Sequence, residues 1–257
     1  MASTKLNATA KELKALHKPG SPVVFANVWD ILSASTLASI PSCKALATAS
    51  YAVAREYGLE DDDLDMETNL NGVRGIAKVA TEHNKPLSVD FQDGYGDKLE
   101  DGFAKLLDLG ITGANMEDVD KDTGKQYSVE EAVARIERVL KVVKKMGVPD
   151  FALNARCDTL VKGGCMDDVI TRGKQYLAAG ATTVFVWGGS KRGVSRAEVE
   201  RMVKEFDGRL NVSMKLSPDG LNVAQLSEIG VARISVGPTL QFTAMAALKS
   251  EAEKMLT

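Results

Sequence analysis

Short apolar runs alternate with amphipathic segments along most of the chain. Short runs bounded by turn residues are typical of buried strands, and longer segments with apolar positions at helical spacing are typical of helices. The segment 129–147 is the clearest helix, with Ala132, Ile136, Val139 and Val143 on one face. Eight runs predict strands, at 23–29, 45–50, 86–92, 113–118, 151–158, 182–188, 210–216 and 232–238.

Glycines mark the ends of several predicted helices. Gly110, Gly147, Gly180 and Gly230 each stand just before a strand, where the end of a helix favours a left-handed residue. Repeated strand–helix units predict a parallel sheet, and eight of them in 257 residues have the size of a (β/α)8 barrel. An open doubly wound sheet is the alternative, although no G-x-G-x-x-G opens a helix after the first strand. We therefore predict an α/β fold, a single-domain TIM-type barrel over residues 1–257.

Composition narrows the possible partners and compartments. The net charge is -3 and no basic block exists, which argues against nucleic acid and anionic membranes. The three cysteines lack metal-type spacing, and with only two histidines a histidine metal site or a catalytic triad is not expected. No run approaches the roughly 18 apolar residues of a membrane span, and no signal peptide is visible. These features favour a cytoplasmic protein.

Acidic and amide side chains collect where the predicted strands end. In a parallel barrel these carboxyl ends form the active site. Carboxylates without histidine suit Mg²⁺ or Mn²⁺, and an arginine among them offers a planar fork for a substrate carboxylate. For any one of these residues, the alternative is that it caps the next helix. That alternative is weaker for Asp90, Glu117 and Arg156 taken together, because each precedes its helix by several residues. The residues concerned are Asp90, Gln92, Asp93, Asn115, Glu117, Asp118, Asn154, Arg156 and Asp158.

Six segments resemble, in order, the isocitrate lyase/phosphoenolpyruvate mutase superfamily. They are FANVWDILSA, ALATASYAVA, VDFQDGYG, GANMED, NARCDTL and ARISVGP, and the likeness extends from about Val23 to Pro238. The resemblance implies a (β/α)8 barrel that uses Mg²⁺ to hold small 2-oxo or 2-hydroxy acids. It implies making or breaking of C–C or P–C bonds through an enolate-like intermediate. It also implies a homo-oligomer, because many members are tetramers that exchange a terminal helix.

The same resemblance assigns a metal site. Asp90 resembles the acid nearest the metal, and Glu117 resembles an acid that holds a metal-bound water. Asp61, within the acidic run GLEDDDLD, falls where the family has a further outer acid. Gln92 stands where the mutases have a second acid, which lowers the charge around the metal by one and should weaken Mg²⁺ binding.

The resemblance also assigns substrate-binding and proton-transfer residues. Arg156 resembles the arginine that binds the substrate carboxylate, and Ser50 and Tyr51 match the turn that holds the other end of the substrate. Trp29 is expected to line the same pocket. Lys121, Lys125 and Tyr127, in the loop after the fourth strand, are candidates to deliver a proton, with an ordinary exposed loop as the alternative for the lysines.

Departures from the family pattern bear on the reaction. The loop after the fourth strand reads VDKDTGKQYS, without the catalytic cysteine of the isocitrate lyases or the lid asparagine of the mutases. We therefore expect oxaloacetate decarboxylation or a related C–C cleavage. Cleavage of a 2-substituted malate, mutase-like P–C chemistry on phosphoenolpyruvate or carboxyphosphonoenolpyruvate, and metabolite binding without turnover are the alternatives. Cys157 should face the helices as an inert thiol, because neighbouring strand residues point to opposite faces.

Overall fold

Eight parallel strands form the barrel in the computed structural model, which describes residues 2–216 and 220–256. Around the sheet the strands follow the order β1-β8-β7-β6-β5-β4-β3-β2. A parallel bridge between Val28 and Thr48 joins β1 to β2 and brings the barrel to near closure. The strands are β1 Val23–Phe25, β2 Leu46–Ala47, β3 Leu87–Asp90, β4 Gly113–Glu117, β5 Ala152–Cys157, β6 Thr183–Val186, β7 Leu210–Ser213 and β8 Arg233–Ser235.

Helices alternate with the strands, as the sequence predicts. They are α1 Ala2–Leu16, α2 Ile31–Ala38, α3 Ser50–Glu56, α4 Met66–Glu82, α5 Leu99–Asp108, α6 Val129–Lys145, α7 Met166–Ala178, α8 Arg196–Glu205, α9 Val223–Ile229 and α10 Thr239–Leu256. The first, α1, covers the amino ends of the strands: Leu13 packs with Val23, Phe25 and Ala152. None of the helices in the described part of the chain is long and apolar enough to cross a membrane.

All eight predicted strands are confirmed, but each ends earlier than the apolar pattern suggests. The third strand stops at Asp90 because Gln92 adopts a left-handed conformation, with φ of 47°, and turns the chain out of the sheet. The four glycines at helix ends have positive φ angles between 83° and 107°, as expected. The strand ends therefore merge into short turns, and these turns carry the polar residues.

The barrel interior is unusually polar for this fold, whose interior is commonly filled with branched apolar side chains. Ser88, Asn115, Asn154 and Asn211 are buried within it. At the amino end, Arg233 lies 4.3 Å above the ring of Phe25, and burial lowers the pKa of Arg233 to about 9. The apolar core lies instead between the sheet and the helices, where Phe103 packs edge-on against Phe91 and Phe151.

Candidate active site

Arg156 is the centre of a charged cluster at the carboxyl ends of β4 and β5. It pairs in register with Glu117, and its Nη1 donates to Glu117 Oε1 at 2.6 Å. Its Nε donates to Asp158 Oδ1 at 2.8 Å. The ring of Trp187 lies 4.3 Å from the guanidinium carbon and restricts its plane. Nη2 donates no hydrogen bond within the described residues, so one edge of the fork remains available to an anion.

Asp90 is held from two sides at the end of β3. Its Oδ2 accepts from the backbone amide of Ser50 at 3.1 Å, and its Oδ1 accepts from Asn115 Nδ2 at 2.9 Å. Its own amide donates to Thr48 Oγ1 at 2.9 Å. These donors fix the orientation of the carboxylate.

Gln92 joins Asp61 to this group although 31 positions separate them in the chain. Its Nε2 donates to the carbonyl of Asp61 at 2.7 Å and to the carboxylate Oδ1 at 3.3 Å. Its Oε1 is buried and has no hydrogen-bond partner among the described residues. A buried acceptor without a partner is costly, and a cation or a water would satisfy it.

Burial and repulsion between carboxylates raise the pKa of two acids in the cluster. Burial raises the pKa of Glu117 well above its usual range, and Asp158, Asp90 and Asp61 raise it further against the opposing effect of Arg156. Burial and the nearby Asp90 also raise the pKa of Asp61. For Arg156, burial disfavours the cation, but Asp158 and Glu117 outweigh it and raise the pKa.

This donor set fits a hard divalent cation. Several carboxylates lie close enough to raise one another's pKa, and a bound cation would relieve that repulsion and give the unpartnered amide oxygen of Gln92 a partner. Across residues 2–216 and 220–256, however, no three Asp, Glu, His or Cys side chains converge closely enough to hold a metal by themselves. Such a metal would have few direct protein ligands, as is common for Mg²⁺.

The structure thus brings together six of the residues that the sequence assigns to the site. Contacts or electrostatic interactions link Ser50, Asp61, Asp90, Gln92, Glu117 and Arg156. Asp158, which fixes Arg156, and Asn115, which fixes Asp90, were not assigned a role from the sequence. The signal for Asp158 was present, since residues two apart on a strand share a face.

The side chains of the remaining candidates make no described contact with Asp90, Glu117 or Arg156. Tyr51 packs its ring edge-on against Phe242. Trp29 is half-buried at the start of α2, and its amide donates to Ser33. Lys121 donates to the carbonyl of Asp62 and so brings the loop after β4 to the acidic turn.

Tyr127, a candidate proton donor from the sequence, contacts residues outside this cluster. Its hydroxyl donates to Asp93 Oδ2 at 2.9 Å, and its ring lies 4.5 Å beneath the guanidinium of Arg135 on α6. Burial and Asp93 raise the pKa of this phenol strongly. The contacts made by Tyr127 therefore tie α6 to the turn after β3, and they do not support proton transfer at Asp90.

A family model for phosphoenolpyruvate phosphomutase matches residues 13–256. The chain belongs to this family. An uncharacterised protein of Mycobacterium tuberculosis (strain ATCC 25618 / H37Rv) is 30% identical over 229 residues, covering 86% of this chain and 80% of that protein. Phosphonopyruvate hydrolase of Variovorax sp. (strain Pal2) is 26% identical over 198 residues, covering 71% of this chain and 66% of the hydrolase.

Solved structures give the same result. A Burkholderia cenocepacia J2315 protein, provisionally described as a phosphonomutase, is 30% identical with a TM-score of 0.86, covering 97% of this chain and 99% of that one. At 22% identity, 2,3-dimethylmalate lyase and oxaloacetate acetylhydrolase share the fold, with TM-scores of 0.82 and 0.81. These cover 99% and 95% of this chain, and 87% and 85% of their own. Membership expected from the sequence is confirmed at the level of the phosphoenolpyruvate mutase family, and a lyase and a hydrolase at 22% identity share its fold.

Proposed function

We propose that this protein is a Mg²⁺-dependent enzyme that breaks a C–C bond in a small 2-oxo or 2-hydroxy dicarboxylate, with oxaloacetate decarboxylation as the leading reaction. The observation that carries the proposal is the position of Arg156. Glu117, Asp158 and Trp187 hold its guanidinium in one plane, with Nη2 open and Asp90 within electrostatic reach. A cationic fork beside an acid cluster matches a substrate that carries a carboxylate next to a metal-binding carbonyl.

The residues that would hold the metal are Asp90, Glu117, Asp61 and Gln92, with Mn²⁺ as a substitute for Mg²⁺. When bound, the metal supplies Lewis-acid stabilisation of negative charge on the substrate carbonyl oxygen. The carboxamide of Gln92 contributes a neutral oxygen in place of a charged one. We therefore propose that the affinity for Mg²⁺ is moderate.

The protein's own residues orient the substrate and move the proton. Arg156 binds one carboxylate and restricts its rotation, so that binding energy is converted into orientation. The amide of Tyr51 makes no hydrogen bond within the described residues, whereas the amide of Ser50 is engaged by Asp90. We assign the turn at Ser50 and Tyr51, with Trp29, to the other end of the substrate. Lys121, whose loop meets the acidic turn, is the proposed donor of a proton to the enolate carbon.

P–C cleavage of phosphonopyruvate is the second candidate, and the similarity to the Variovorax hydrolase favours it. Both reactions need a metal, a carboxylate-binding arginine and a stabilised enolate of pyruvate. They differ in the group removed from the enolate carbon, which is carbon dioxide in one and, in the other, a phosphoryl group that is transferred to water to give phosphate. The loop after β4 lacks the asparagine expected of the mutases, which is why we place C–C cleavage first.

A product assay separates these candidates. The purified protein is incubated with oxaloacetate, phosphonopyruvate and a panel of 2-substituted malates, each with Mg²⁺ and with EDTA, and the products are identified. Because free Mg²⁺ itself promotes loss of carbon dioxide from oxaloacetate, the matched blank contains Asp90→Asn protein in place of the parent. Pyruvate and carbon dioxide above this blank support the proposal. Phosphate release from phosphonopyruvate without turnover of any diacid would replace it with the second candidate.

A further inference from the structure

A row of hydrogen bonds crosses the barrel interior and ends on Asp90. Thr183 Oγ1 on β6 donates to Asn154 Oδ1 on β5 at 2.7 Å. Asn154 Nδ2 donates to Asn115 Oδ1 on β4 at 2.9 Å, and Asn115 Nδ2 donates to Asp90 Oδ1 at 2.9 Å. We call these four residues the Asp90 ladder.

Strand register places the ladder in one layer of the barrel. Asp90 pairs with Asn115, Asn115 with Asn154, and Asn154 with Thr183, so each rung joins directly paired residues of neighbouring strands. Thr183 is completely buried and Asn154 is 1% exposed. Neither residue makes a described contact with Arg156, Glu117 or Asp61.

The chemistry of Asp90 sets the direction of every bond in the ladder. An ionised carboxylate can only accept, so Asn115 must present its amide nitrogen to Asp90 and its oxygen to the next strand. That oxygen requires the amide nitrogen of Asn154, whose own oxygen then requires the hydroxyl of Thr183. All three donors consequently point toward Asp90, and bonds aligned in this way polarise one another.

Packing alone gives no reason for such a layer. Apolar side chains would fill the same space without the desolvation cost of three buried polar groups. Across the barrel, Asn211 and Ser235 form a second buried pair at 3.3 Å, but the contacts of that pair do not extend to Asp90. The Asp90 ladder differs from it in ending on a residue of the candidate metal site.

We propose that Asn154 and Thr183 are positioning residues for Asp90, acting through Asn115. They fix the amide of Asn115 in the one orientation that holds Oδ1 of Asp90, and thereby fix the carboxylate that faces the metal. This proposal rests on the assignment of Asp90 to the metal under the proposed function. Partners of this kind typically account for about 10-fold to 100-fold in metal affinity.

The test is Mg²⁺ affinity by titration calorimetry, with urea unfolding measured in parallel. Thr183→Val removes the terminal hydroxyl at nearly constant shape, and we expect about 10-fold weaker Mg²⁺ binding. Thr183→Ser restores the hydroxyl and should return the affinity to that of the parent. Asn154→Leu interrupts the same ladder one strand closer and should weaken binding at least as much. It keeps the test decisive if the valine variant folds poorly.

Two further variants separate the possible outcomes. Ser235→Ala deletes a buried hydroxyl of the barrel interior outside the ladder, and it should cost stability without changing Mg²⁺ affinity. The ladder is refuted if Thr183→Val binds Mg²⁺ like the parent while Asp90→Asn has lost binding, a result that leaves the proposed function intact. It is also refuted if Ser235→Ala weakens binding as much as Thr183→Val. If Asp90→Asn binds as tightly as the parent, the proposed function fails and the ladder proposal fails with it.

Discussion

Replacement of Arg156 by lysine should remove the rigid fork on which substrate binding depends. The arginine makes charge-assisted bonds of 2.8 Å to Asp158 and 2.6 Å to Glu117 and stacks on Trp187. A flexible ammonium can meet only one of the two acids, and a hydrogen bond to a charged group contributes about 1.5–3 kcal/mol. We therefore expect the free energy of unfolding to fall by about 2 kcal/mol. We expect kcat/KM to fall about 100-fold, which corresponds to about 2.7 kcal/mol.

Initial rates at saturating Mg²⁺ and urea unfolding curves measure the two effects separately. Arg135→Lys is the matched control, because Arg135 is also buried, pairs with Asp93 at 3.6 Å and stacks on Tyr127, but lies outside the acid cluster. The control should lose stability and keep kcat/KM. Retention of kcat/KM within about threefold in Arg156→Lys would refute the substrate-binding role. An equal loss of activity in Arg135→Lys would attribute the effect to stability alone.

Three other predictions follow from the same structure. Cys157 is fully buried near Thr159, and burial raises the pKa of its thiol to about 12, so Cys157→Ser should keep most turnover and thiol reagents should not inactivate the folded parent. Inactivation of the folded parent by thiol reagents, together with loss of turnover in Cys157→Ser, would show this prediction to be wrong. The pKa of Glu117 lies above 4.5, so protons compete with Mg²⁺ for this carboxylate, and calorimetry should show Mg²⁺ affinity rising with pH above that value. The rise should be smaller in Glu117→Gln, and a Mg²⁺ affinity of the parent that does not change with pH would contradict the prediction. On helix α10 the side chains of Phe242, Met245 and Leu248 are 51%, 50% and 63% exposed, and we propose that the protein self-associates through this apolar surface. Light scattering should show a homo-oligomer that Met245→Asp weakens, and a monomeric parent would rule out self-association.

The sequence predicted the fold because its signals are local. Each apolar run predicts one strand, and each helix-ending glycine predicts the end of one helix, without reference to the rest of the chain. Eight strand–helix repeats are then compatible with only a few folds. The ends of the strands were overestimated because a residue such as Gln92 reads as a continuation of β3, whereas its left-handed backbone takes it out of the sheet. Hydrophobic pattern carries no information on that conformation.

Several residues that the sequence selected lie together in the structure, but the contacts between them were not predicted. Strand ends and family resemblance selected Asp90, Glu117 and Arg156, because those positions follow from topology. The contact between Gln92 and Asp61 depends on how a turn folds over the barrel, which no periodicity encodes. The Asp90 ladder depends on the register between strands, which becomes visible only when neighbouring strands are paired.

Tyr127 was assigned to the site from its place in the chain, and its contacts could not be predicted in that way. It follows the fourth strand closely enough to be counted with a lid over the site. An aromatic residue at the end of a loop is, however, often drawn into the nearest core, and here Arg135 and Asp93 provide partners for its ring and hydroxyl.

The most direct test of the account compares Asp90→Asn with Asp93→Asn in Mg²⁺ titration calorimetry and in the diacid turnover assay. Asp90 is the last residue of β3 and Asp93 lies in the turn that follows, and both substitutions preserve shape, but Asp93 pairs with Arg135 and Tyr127 rather than with the cluster. The account predicts that Asp90→Asn loses Mg²⁺ binding and metal-dependent turnover while remaining folded, and that Asp93→Asn keeps both with reduced stability. Mg²⁺ binding and turnover at parental levels in Asp90→Asn would contradict it.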